Sequence, residues 1–486
     1  MRKFYRYTLF LLILLNFAAF FLGIYYYGEN ETVSYVSAMQ EVNAVEENTL
    51  DSTFTKEEQR RKDATEVEKI TEPEKITEPL EKDTETAEKE NSRANEDKPL
   101  NSSDDKKSET DVTKTSQFND GENSKRIKDK TEELTILAVG DNLIHTQVIR
   151  SGKKANGSYN FSHLFAGIKE ELEAADLAII NQETILCDKS LGYTGYPKFG
   201  SPYAIGEAIS EAGFDVVLQA TNHTMDKGYD GVLDTIEFWK KYDDILMVGV
   251  NESDDPLERI GLYTKNGITV AILNYTYGLN GLSMPKGKEY LVNLLTDRKQ
   301  MKADIALAKK LSDFVIVCPH WGSEYVYKPT KQQEQLTQFF LEEGVDLVLG
   351  THPHVLQPVN WVETKDGSHR MLVYYSLGNF VSNQDAMARM LGGMAKIKLI
   401  KKGDEVVIDE ASIDPLVTHT YYDGKQRFTT YLLSDYNEKM ASAHYLNRKK
   451  KSTVTLEKLT ELTQSILGDW YSSDKNNTML SIMQSQ

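Results

Sequence analysis

From Leu134 onward the chain alternates short apolar runs with amphipathic stretches, and this alternation limits the folds open to it. Residues 134–139, 177–180, 214–218, 245–248, 268–273, 314–318, 345–349 and 371–375 read as buried strands. Residues 168–175, 204–212, 228–241, 301–311 and 332–343 carry helical spacing between them. Strands separated by helices predict an α/β layered fold. Residues 394–400 and 405–408 flank the turn Lys402-Gly403-Asp404 and predict a hairpin.

Nearly every predicted strand runs into a polar cluster. The first ends in Gly140-Asp141-Asn142-Leu143-Ile144-His145, and the second in Asn181-Gln182-Glu183. Ala220-Thr221-Asn222-His223, His320-Trp321-Gly322, Gly350-Thr351-His352-Pro353-His354 and Ser376-Leu377-Gly378-Asn379-Phe380 follow later strands. In α/β sheets, ligands bind at the carboxyl ends of strands. Taken singly, each residue has a plain explanation. Asp141 suits a turn, Glu183 a cap, Asn222 a local backbone bond, and His320 a core position. Only nine histidines occur in the chain, however, and two stand one residue apart at 352 and 354. Together Asp141, His145, Glu183, Asn222, His320, His352 and His354 make a nitrogen and oxygen ligand set suited to Mn, Fe, Zn or Mg. One or two ions per chain are expected, and a pair would share a carboxylate. His163, His369, His419 and His444 match no strand end and read as surface residues.

At these motifs the sequence resembles the calcineurin-like metallophosphoesterase superfamily, and within it the CapA family associated with poly-γ-glutamate capsule synthesis. The motifs occur in the family's order and cover about residues 134–412. The resemblance implies a four-layered α/β/β/α sandwich with metals at strand ends. It implies that Asp141 and His354 hold one metal, that Glu183 bridges, and that Asn222, His320 and His352 hold the other. It also implies that His223, with Asn222 beside it, works as a catalytic group that contacts substrate where charge develops. Two positions depart from the superfamily's pattern. His145 lies four residues after Asp141, where Asp-x-His is usual, so the first metal loses a ligand unless His145 reaches it from its loop. Glu183 replaces the usual bridging Asp, and its longer side chain alters the metal spacing.

The rest of the chain is read by composition. Residues 7–27 carry no charge and are long enough to span a bilayer as a helix. Arg2, Lys3 and Arg6 precede them while Glu29 and Glu31 follow, which places the N-terminus inside and the remainder outside. An uncleaved, single-pass anchor over residues 1–28 is expected, with a cleaved signal ending near Val36-Ser37-Ala38 as its rival. Residues 29–131 read as a disordered acidic linker that repeats Glu-Lys-Ile-Thr-Glu-Pro at 68–73 and 74–79. Residues 41–110 alone carry a net charge of about −10 of the formal −18. The acidity is thus mostly a solvated stalk, and it argues against nucleic-acid binding.

The folded domain is expected over 132–415 and a helical extension over 416–486, with a helix at 455–467 and a solvated basic run at 448–451. Cys187 and Cys318 read as small buried residues. Three functional readings stay open. The first is a membrane-anchored, extracytoplasmic protein of poly-γ-glutamate capsule synthesis or export. It would work with other membrane components of a polymer synthase complex and touch the anionic polymer through metals and bases such as Lys198 or Lys227. The second is a metal-dependent phosphoesterase acting at the cell envelope. The third is a non-catalytic scaffold of a capsule-synthesis complex.

Overall fold

The computed structural model describes residues 132–450, 452–471 and 480–481. The apolar segment 7–27 and the acidic linker up to residue 131 lie outside them. Among the described residues, no helix is long and apolar enough to cross a membrane.

Two sheets form the body. In chain order the strands are β1 (Glu133–Asn142), β2 (Leu177–Asn181), β3 (Val216–Leu218), β4 (Leu246–Val248), β5 (Gly261–Lys265), β6 (Ile268–Thr276), β7 (Phe314–His320) and β8 (Leu347–Leu349). They continue with β9 (Val359–Glu363), β10 (Arg370–Tyr374), β11 (Asn379–Val381), β12 (Leu391–Lys402), β13 (Glu405–Asp423), β14 (Lys425–Leu432) and β15 (Leu480–Ser481). The first sheet runs β14-β13-β12-β1-β2-β3-β4, with β11 against the end of β1 and β15 against β13. The second runs β5-β6-β7-β8-β10-β9. Strands β1 to β4 pair in parallel, as do β6, β7, β8 and β10.

Alternation along each strand separates two faces. Ile136, Ala138, Ile179 and Val216 of the first sheet share one core with Val270, Ile272, Ile316 and Leu372 of the second. The intervening residues point outward. Leu137, Val139, Ile180 and Val217 pack with α1 (Thr146–Gly152), α2 (Lys169–Ala174), α3 (Ala204–Ala212) and α4 (Gly228–Trp239). Leu273, Val315, Val317 and Val373 pack with α5 (Arg298–Leu311) and α6 (Lys331–Glu343). The layer order is therefore helices, sheet, sheet, helices. Local chemistry sets the helix ends. Thr330 and Gln333 form a reciprocal capping box on α6, and Gly344 closes it in the left-handed region at φ 79°.

Three features depart from the sequence reading. First, β13 runs unbroken past residue 415, and β14 pairs back onto it, so the chain there begins as sheet. After a single 3-10 turn at Leu433–Asp435, α-helices begin at Glu438, with α7 (Glu438–Ala443) and α8 (Tyr445–Lys449), followed by α9 (Leu456–Leu467). Second, β5 is an edge strand joined to β6 by Asn266-Gly267, both at positive φ, a pair that favours a tight hairpin. Third, His419 and His444 are buried rather than on the surface. The extended β13 carries His419 under the C-terminal helices, where its Nδ1 meets the Tyr436 hydroxyl at 2.6 Å. His444 Nε2 meets the Thr418 carbonyl at 3.2 Å. Both cysteines are free and buried.

Candidate metal centre

The carboxyl ends of the parallel strands in both sheets meet at one place. β1 delivers Asp141, and the turn after β2 delivers Glu183. The loop after β3 delivers Asn222 and His223, β7 ends at His320, and the loop after β8 carries His352 and His354. Close backbone approach makes this possible. A Cβ on Gly140 would stand 1.9 Å from the Gly378 carbonyl oxygen, and one on Gly350 would stand 2.2 Å from that of Tyr375.

Glu183 lies at the centre. It is fully buried, and neither carboxylate oxygen has a hydrogen-bond partner. Its Oε1 is 3.6 Å from His354 Nε2, 3.8 Å from His320 Nε2 and 3.9 Å from His223 Nε2. Two groups have ligand spacing: Glu183 with His320 and His352, and Asp141 with Glu183 and His354. Glu183 belongs to both. A buried carboxylate without partners is costly, and an ion is a physical reason for one to persist. His352 Nδ1 is also buried without a partner. These orphaned atoms, with an oxygen and imidazole donor set, fit divalent ions.

The surroundings hold these candidate ligands in place. Asp141 accepts from the Asn181 side chain at 2.8 Å and from the His352 backbone N–H at 3.2 Å. His354 Nδ1 faces Asp141 Oδ2 and Asn379 Oδ1, both at 3.1 Å. Two acceptors fix a proton on Nδ1 and leave Nε2 toward Glu183, the kind of outer bond that orients a metal-binding imidazole. His320 Nε2 lies 2.9 Å from Asn222 Oδ1, and its Nδ1 lies 3.0 Å from Thr351 Oγ1.

Electrostatics follow burial. Burial pushes Glu183 well above the usual carboxylate range, and neighbouring Asp141 adds to the rise while His354 opposes it. Burial holds His320 and His352 well below the ordinary histidine value, so both are neutral, the ligating form. Burial also lowers His354, but the charge of Glu183 and the bond to Asp141 outweigh it and raise the group to about 9.

His223 has a separate environment. Its Nδ1 lies 2.7 Å from Asp226 Oδ2, which also accepts the Phe199 backbone N–H at 2.7 Å. Nε2 is thereby aimed at the ligand cluster. His145 stands outside both ligand groups. Its ring meets Phe199 edge-on, and its Nδ1 lies 3.2 Å from the Leu143 carbonyl and 3.3 Å from the Asn383 N–H. Lys227 donates to Thr194 Oγ1 at 2.8 Å, and Lys198 is exposed.

Several residues around the site escaped the sequence reading. Asn280 accepts from Asn222 at 3.2 Å, and the Tyr277 ring lies 4.6 Å from that of His352. Tyr325, by contrast, ends the sequence motif His320-Trp321-Gly322-Ser323-Glu324-Tyr325, and its ring lies 6.0 Å from that of His354. Six non-glycine residues among those described have positive φ, and four of them, Asn280, Tyr325, His352 and His354, surround this site. Such strain persists only where the surroundings enforce it, and it clusters where function demands a fixed geometry.

Residues 135–384 match a family model described as the bacterial capsule synthesis protein PGA_cap. The chain belongs to that family. All the candidate ligand residues fall within the PGA_cap match. The chain is 31% identical over 262 residues to the capsule biosynthesis protein CapA of Bacillus anthracis, covering 52% of this chain and 61% of that one. It is 34% identical over 198 residues to the PGA biosynthesis protein CapA of Bacillus subtilis, covering 40% of this chain and 50% of that one. The PGA_cap chain thus spans between half and two thirds of these relatives. Among solved structures it is similar to the calcineurin-like phosphoesterase YfkN of Bacillus subtilis. That match has 14% identity and a TM-score of 0.37, covering 68% of this chain and 99% of that one.

Proposed function

We propose that this protein serves poly-γ-glutamate capsule biosynthesis or export from the outer face of the cell membrane, tethered by residues 1–28, with a two-metal centre built on Glu183. The observation that carries the reading is the fully buried, unpartnered Glu183 carboxylate shared by two ligand groups. The family and its CapA relatives supply the pathway.

Divalent ions bound there supply concentrated positive charge for an anionic oxygen. The protein's own residues do the rest. Asp141, Asn181, Asn222 and Asn379 hold the imidazoles in register. Burial excludes bulk water and strengthens each charge interaction. Asp226 keeps the proton on His223 Nδ1, and His223 Nε2 faces the centre, placed to bind or move a proton on a bound group.

Deleting the gene and restoring it with wild type or Glu183→Ala tests the reading. Surface γ-linked glutamate should vanish on deletion, return with wild type and fail to return with the variant. Unchanged polymer after deletion, or full rescue by Glu183→Ala, refutes it.

The His223–Asp226 pair favours one further reading, hydrolysis of a cell-envelope phosphoester. Mn-dependent turnover that His352→Ala abolishes would support it, and no turnover on any phosphoester would exclude it.

A further inference from the structure

Linked to the ligand cluster through Tyr325 and Asn379 is an arginine that neither the motifs nor the family match includes. Arg389 lies in the short turn Met387–Met390, just beyond the matched span. Its guanidinium carbon sits 3.6 Å above the Tyr325 ring centre, and that ring neighbours His354. Tyr325 is itself locked to the histidine loop. It adopts φ 67°, and its N–H donates to the Pro353 carbonyl at 2.7 Å. The Asn379 side chain completes the link. Its oxygen meets His354 Nδ1 at 3.1 Å, and its amide donates to the Arg389 carbonyl and to Gln384 Oε1, both at 2.9 Å. Gln384 in turn donates to the Tyr325 hydroxyl at 3.2 Å. One hydrogen-bonded frame thus fixes both a metal-ligand histidine and the arginine.

The guanidinium lies over an aromatic ring, a contact that uses the ring face and does not consume its N–H donors. Its ion pair with Asp385, at 3.2 Å, involves a carboxylate that is 54% exposed. Such a pair is weak and yields to a competitor. Glu324, beside Tyr325, is acidic, so an acidic chain approaching this side needs a cation other than His354 to receive it. The arginine fork matches a carboxylate with two parallel hydrogen bonds.

We infer that Arg389, held by Tyr325 and Asn379, is a binding residue that takes a carboxylate of an acidic polymer next to the metal centre. The inference rests on the reading that this centre handles poly-γ-glutamate, and it assigns the contact to Arg389 rather than to Lys198 or Lys227.

The test uses the full-length protein in detergent with Mn, and measures binding of a γ-linked glutamate oligomer and of its uncharged γ-linked glutamine counterpart. Wild type should prefer the charged oligomer. Arg389→Gln should bind it about tenfold more weakly or worse and lose most of the preference, with Mn content unchanged. Arg389→Lys keeps the charge without the fork and should fall between them, which also covers a folding failure of the first variant. If Arg389→Gln and Arg389→Lys both bind as wild type while His352→Ala does not bind, this inference fails and the polymer reading stands. If loaded wild type binds neither oligomer, both fail.

Discussion

Glu183 Oε1 stands 3.6 Å from His354 Nε2, close enough for charge attraction yet with no hydrogen bond made by either carboxylate oxygen. This gap between a buried acid and its nearest base gives substitution at Glu183 two opposite effects. Glu183→Gln removes a buried group that is hard to ionise, so the metal-free variant should be as stable as wild type or more so. The same change removes the ligand common to both groups, so it should abolish metal uptake. His352→Ala and Asp141→Ala each strip one group and should leave about one ion per chain, against two in wild type. Elemental analysis after Mn or Zn loading reads the stoichiometry. Thermal unfolding reads the stabilisation, about 2.7 kcal/mol at a hundredfold excess over Kd, which only metal-binding forms should show.

Asp226 supports two groups at once, His223 Nδ1 and the Phe199 N–H, each at 2.7 Å. Asp226→Ala leaves both donors buried without an acceptor. We expect a loss of about 1–3 kcal/mol in urea unfolding. His223→Ala leaves the Phe199 bond intact and should cost less. Equal stability of Asp226→Ala and wild type would show that neither bond matters to the fold.

The strands that position the centre were legible because each is buried on both faces and reads as a continuous apolar run ending in polar residues. What was missed lacked that signature. Asp226 stands three residues after His223 and looks like an ordinary residue of a helix approach, so only the folded turn reveals it as the histidine's partner. Asn280, Tyr277 and Arg389 sit in irregular segments where no periodicity points inward. β14 and the far half of β13 are rich in Thr and Tyr, a composition that alternation in burial turns into sheet, and the turn at Gly424 was the overlooked hairpin signal. Without that hairpin, His419 had no strand to be buried on, and it was read as surface.

Close backbone approach makes two glycines intolerant of any side chain. A methyl on Gly140 would meet the Gly378 carbonyl, and one on Gly350 the Tyr375 carbonyl, and backbone cannot swing aside as a flexible side chain can. Gly140→Ala and Gly350→Ala should each destabilise by about 2–4 kcal/mol and should also impair metal loading, since both glycines adjoin ligand loops. Gly157 faces open space at φ 84°, so Gly157→Ala should cost only its backbone strain and leave metal content unchanged. Metal content and unfolding midpoints of the three variants check this ordering.

The buried pair His419 and His444, 5.6 Å apart between ring centres, sets a pH limit away from the metal centre. Burial lowers both to about 4, and for His419 the neighbouring His444 adds to the fall, while a bond to the Thr418 carbonyl opposes it for His444. The unfolded chain takes up these protons near pH 6.5, before the folded one does, so it binds more protons between about 6.5 and 4. Stability is therefore full above 6.5 and falls as pH drops through that window, by up to about 1.4 kcal/mol per pH unit for each histidine. His145 and His163, also lowered to about 4, contribute in the same direction. Replacing His419 and His444 with Gln should flatten the fall by the share of two protons. Urea unfolding of metal-free protein at pH 7.5, 6, 5 and 4.5 measures the slope, and an unchanged slope in the double variant would mean that the pair does not titrate on unfolding.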